Sequence, residues 1–89
     1  MQKEAIIKIF LRKLVNSNTW GGKHTAETNL RKSLPKHLRG EKIVNDTIKE
    51  LISSGILKCK ISTKEKHISL NPKMKQEIHQ ILDASLENI

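Results

Sequence analysis

Between Leu57 and Leu70 the sequence LKCKISTKEKHISL carries Lys58, Lys60, Lys64 and Lys66, spaced to put cations along one face and the tip of an extended hairpin. Upstream, Lys42, Asn45, Asp46 and Lys49 recur at steps that fall on one side of a helix. Lys36, His37 and Arg39 come just before them. Ammonium and guanidinium groups in such a pattern neutralise a polyanion, and an Asn amide among them both donates and accepts hydrogen bonds. The first free backbone N–H groups of a helix opening after Gly40 add a local preference for anions. This chemistry is recognition by charge and hydrogen bonding.

Bond-making chemistry finds little support. Cys59, His24, His37, His67 and His79 lack the ligand spacing of a zinc site, so no metal and no cofactor is expected. There is no glycine-rich phosphate loop and no nucleophile motif, so the expectation is that the chain is not an enzyme. Asp46 and Glu50 read as solubilising charges on a helix rather than an acid–base pair. Cys59, the lone cysteine, falls on the apolar side of the first hairpin strand and is expected to be a small buried hydrophobe in a reducing, cytoplasmic setting.

The elements that must hold the basic groups follow from periodicity. Ile6, Ile7, Phe10, Leu11, Leu14 and Val15 share one face of a helix expected from about Gln2 to Val15, stopped by Asn16-Ser17-Asn18. Trp20 with Gly21 and Gly22 reads as core packing under a loop. Lys23-His24-Thr25 reads as a short extended piece able to join a hairpin as a third strand. Thr25 is the expected N-cap of a second helix, marked by Ala26, Leu30 and Leu34 and ending near Ser33 because Pro35 disfavours helical geometry at Leu34. Leu38 anchors the connecting turn, and Gly40 is the expected N-cap of a third helix over Glu41–Ser54.

In that third helix Ile43, Val44, Ile48, Leu51 and Ile52 point inward. Gly55 suits the left-handed residue that ends a helix. Alternation then takes over, with Leu57, Cys59 and Ile61 against Lys58 and Lys60, and after a polar turn Ile68 and Leu70 against His67 and Ser69. Asn71-Pro72 is a strong helix start, opening a fourth helix to about Leu86 whose stripe is Met74, Ile78, Ile81, Leu82 and Leu86. The fold class is therefore α+β and mostly helical.

The 89 residues are enough for a single domain with a modest core. The formal charge is +8 and the pI about 9.9. Residues 1–75 hold all 17 Lys and Arg and six of the nine acids, a net of +11, whereas residues 76–89 hold Glu77, Asp83 and Glu87 and no base. The last segment is thus unsuited to face a polyanion. No apolar run reaches the roughly 18 residues needed to span a bilayer, no signal peptide is evident, and Glu4 makes the basic first helix read as a structural one.

From about Lys23 to Pro72 the chain resembles the winged helix-turn-helix family, especially the small dimeric regulators of bacteria and archaea. The resemblance rests on KHTAETNL entering helix 2, LPKHLRGEK in the turn, TIKELISSGILK at the end of helix 3, and STKEKHISLNP as wing and exit. One departure is the turn between helices 2 and 3, longer than that of a tight helix-turn-helix. The resemblance implies that helix 3 enters the major groove while the hairpin lies along the backbone or minor groove. Double-stranded DNA is then the expected partner and transcription regulation the expected role, in a cytoplasmic, nucleoid-associated setting.

The expected contacts are Lys36, His37, Arg39, Lys42, Asn45, Lys49, Lys58, Lys60, Lys64 and Lys66, with Asn45 placed to pair with adenine. The stripe of helix 4, alone or together with helix 1, is expected to pair two copies. Single-strand or RNA binding is less favoured, because such modes stack bases on aromatic side chains and the chain offers only Trp20 and Phe10. The alternative reading is a protein–protein interaction module within a larger assembly. Individual lysines also fit a second role, keeping an edge hairpin from aggregating.

Overall fold

A computed structural model describes the backbone of residues 1–87 and the side chains of residues 1–83. The order is α1 (Lys3–Asn16), β1 (Thr25–Ala26), α2 (Glu27–Arg31), a 3-10 turn (Lys36–Leu38), α3 (Lys42–Ser53), β2 (Leu57–Ser62), β3 (Glu65–Leu70), a second 3-10 turn (Pro72–Met74) and α4 (Lys75–Glu87). The strands form one antiparallel sheet in the order β1-β3-β2. This is the α+β arrangement that periodicity calls for, with the short first strand joined to the hairpin.

The core is built from the apolar stripes. Ile6, Phe10, Leu11 and Leu14 of α1 are buried against Leu30, Leu34, Val44, Ile48 and Leu51, with Leu57, Ile68 and Leu70 from the sheet and Ile78 from α4. Trp20 is half-buried against the same core, and Gly21 beyond it donates its N–H to the Leu70 carbonyl at 3.0 Å. The loop thus lies along the end of β3.

Two junctions set the hairpin relative to α3. Gly55 takes φ +84°, the left-handed geometry expected of it, so the chain leaves the helix sharply. Asn71 caps the turn into α4 by accepting from the Lys73 N–H at 3.1 Å, and its Nδ2 donates to the Gly55 carbonyl at 2.8 Å. One side chain therefore starts α4 and ties the hairpin exit to the end of α3.

Several local expectations give way to tertiary pairing. Thr25 is not a helix cap. It is drawn into β1 opposite Ile68, and α2 begins after Ala26 with no side-chain cap. Helix α2 ends at Arg31, short of Ser33, whose Oγ turns back to the Leu30 carbonyl at 2.6 Å. Glu41, not Gly40, occupies the N-cap of α3. Cys59 is exposed and so is Ile61, at 72%. The strand β2 is the sheet edge, and only Leu57 at its base meets the core.

Candidate nucleic-acid interface

The register of the hairpin sorts its lysines. Lys58 lies opposite Ser69, Lys60 opposite His67, and Ile61 opposite Lys66. Paired residues share a face and neighbours alternate, so Lys66 projects to the side opposite Lys58 and Lys60. The four lysines expected on one face and tip are thus divided, with Thr63 and Lys64 at the turn between the strands.

On the inner side, Lys66 meets the helices. A cleft of about 230 Å³ is lined by Glu27, Arg31, Asn45, Ile48, Lys49, Ile52 and Lys66. It adjoins a shallower concavity bordered by Glu27, Thr28, Arg31, Lys64, Glu65 and Lys66. Of the expected contact residues, Asn45, Lys49, Lys64 and Lys66 come together here. Lys42 is exposed on the first turn of α3, and Lys36 and His37 are exposed on the turn before it. Further along the outward face of α3, Glu50 pairs with Lys3 of α1 at 3.1 Å.

Arg39 is placed differently from a phosphate clamp. Its Nε donates to the Leu34 carbonyl at 3.0 Å and its Nη2 to the Lys32 carbonyl at 3.3 Å, so its guanidinium braces the chain after α2. Arg31, which the reading of residue types passed over, organises the cleft. Its Nη2 contacts Glu27 Oε1 at 2.9 Å and Asn45 Oδ1 at 2.6 Å, and its Nη1 donates to the Arg39 carbonyl at 2.6 Å. The Glu27–Arg31 spacing of four was visible in the sequence as a helix-stabilising pair. Its reach to Asn45, 14 residues on, was not.

This contact changes what Asn45 offers. Pairing with adenine through both amide atoms uses Oδ1 as acceptor and Nδ2 as donor. Here Oδ1 already accepts from Arg31, which takes one of its two lone pairs and fixes the amide orientation, with Nδ2 presented as the donor.

On the stripe of α4, Ile78 is fully buried in the core of its own chain, while Met74, Ile81 and Leu82 are half-buried. The side chain of Leu86 lies outside the described residues.

No protein-family model and no curated protein matches the chain. Among solved structures it is similar to the crystal structure of SSV1 F-93, with a TM-score of 0.62 over 99% of this chain and 90% of that one. The fold is a winged helix. At 21% identity the likeness speaks for architecture alone. It covers α1 and α4 as well as the segment from Lys23 to Pro72. Among the described residues no helix is long and apolar enough to cross a membrane.

Proposed function

We propose that the chain binds double-stranded DNA sequence-specifically, with α3 in the major groove and the hairpin as a wing on the backbone or minor groove, and that it serves as a transcriptional regulator. The observation that carries this reading is the cleft where Asn45 and Lys49 of α3 stand beside Lys66 and the wing tip. A helix fits the major groove and reads base edges mainly with its N-terminal half, which in α3 carries Lys42 and Asn45. Lys42, Lys49, Lys64 and Lys66 supply phosphate neutralisation. Asn45, oriented by Arg31, donates from Nδ2 to an acceptor on a base edge. Two copies pair through Ile81 and Leu82 of α4, with α1 alongside, so that their recognition helices meet successive major-groove faces about one helical turn apart.

The test is fluorescence anisotropy with a random duplex over a salt series. Binding with a slope of log K against log salt of about −3 to −4 per subunit, as four neutralised phosphates require, supports the reading. Absence of any salt-dependent binding at low ionic strength turns the molecule toward a protein-interaction role. Selection from a random duplex pool then measures specificity and half-site symmetry together.

A further inference from the structure

The face of the sheet turned away from α3 gathers a second group of basic side chains, apart from the cleft beside Asn45. Register places Lys58, Lys60, His67 and Ser69 together on it. The chain entering β1 lies on the same side, since Ala26 pairs with His67, and His24 there meets His67 edge-on with ring centroids 5.1 Å apart. These side chains border a concavity of about 280 Å³ with Gly21 and Gly22 on its rim. A Cβ built on Gly22 would meet nothing within 4 Å, so that rim is open.

The charges around it are unbalanced. Lys58 and Lys60 are exposed, and neither belongs to an ion pair among the described residues. Glu65 is the carboxylate that reaches the site, 3.9 Å from His67 Nε2 and half exposed. Lys23, also on this loop, directs its Nζ to the Ser17 carbonyl at 3.1 Å instead. Protonation of both imidazoles therefore sets four cations against one carboxylate. Two imidazolium rings at this separation repel each other, and an anion between them removes the repulsion. Ammonium, imidazolium and the Ser69 hydroxyl are all hydrogen-bond donors, the complement of a tetrahedral oxyanion. A metal ion suits the site poorly, because the ammonium groups repel it and no cluster of three His, Cys, Asp or Glu forms among the described residues.

We propose that this concavity binds a phosphate-type dianion, and binds it more tightly as His24 and His67 take up protons. The site stands independently of the duplex contact. The probe is sulfate, a tetrahedral dianion whose charge stays constant between about pH 6 and pH 8, titrated into the full chain at fixed ionic strength while the histidine ring signals are followed by NMR. A saturable shift of both rings is expected, at least about tenfold tighter at the lower pH, where imidazolium adds charge and donors to the site. Chloride should give no such saturation. The double variant His24→Gln with His67→Gln, followed through the backbone amide signals of Gly22 and Ser69, should lose the pH dependence. Lys58→Gln with Lys60→Gln, at exposed positions that folding tolerates, should weaken binding at both pH values. A short duplex forms the second arm. If it moves the same rings and sulfate competes, the phosphate comes from a nucleic-acid backbone. If only sulfate moves them, the ligand is a free phosphate compound. No saturable shift at the lower pH, or saturation undiminished in the lysine variant, overturns the proposal.

Discussion

The two faces of the hairpin carry similar side chains and have different company. Lys66 looks onto α2 and α3, beside Asn45 and Lys49. Lys58 and Lys60 look the other way, beside two histidines. The strands differ in the same manner. Ile68 of β3 is fully buried, yet Ile61 of β2 is 72% exposed. β3 is flanked on both sides, by β1 and β2, whereas β2 has one neighbour. Position in the sheet, and not residue type, decides which isoleucine stabilises the fold and which lysine stands beside α3.

The sharpest way to break this comparison is through stability. Ile68→Ala should cost about 2–5 kcal/mol by urea denaturation, while Ile61→Ala should stay within about 0.5 kcal/mol. Equal losses would mean that β2 is as well covered as β3. Next comes binding. Lys49→Glu with Lys66→Glu should weaken a random duplex by about 100-fold at low salt and flatten the salt slope by about two, whereas Lys58→Glu with Lys60→Glu should weaken it by about tenfold or less. Larger loss from the second pair would place the duplex on the histidine side of the sheet.

The hold between hairpin and helix is tested by Asn71→Ala, which removes both the cap and the bond to the Gly55 carbonyl. A cost of about 1–2 kcal/mol in thermal unfolding is expected, at the upper end for a cap. The smallest effect concerns the wing tip, where Thr63 sits at φ +57°, an unusual geometry for a β-branched residue. Thr63→Asn should stabilise by up to about 1 kcal/mol, since Asn enters the left-handed region more readily. A destabilisation would show that the threonine side chain makes an interaction worth more than its backbone strain.

Much of the architecture was legible beforehand. The bounds of α1 and α3 fall within one residue of those read from their stripes, because a long amphipathic helix repeats its signal over several turns. Gly55 and Asn71-Pro72 were equally clear, being residues whose backbone or capping chemistry has few substitutes. The short elements were not. Thr25 carries the chemistry of a helix cap, yet the partner strand claims it, since β1 exists only by pairing with residues more than 40 positions away. Cys59 and Ile61 alternate as a buried strand would, but alternation shows only that two faces differ, not that anything covers the second.

The candidate site divides along the same line. Which residues carry charge, that the charge ends before the last helix, and that α3 turns polar groups outward all follow from the chain read in order. Local periodicity suffices for each of these. That Lys66 joins Asn45 while Lys60 joins His24, that Arg31 occupies the amide oxygen of Asn45, and that Ile78 is spent inside its own core were decided only by the folded molecule. The physical reason is that strand order and register are set by contacts distant in sequence, and a shift of one residue in register moves every side chain of a strand to the other face.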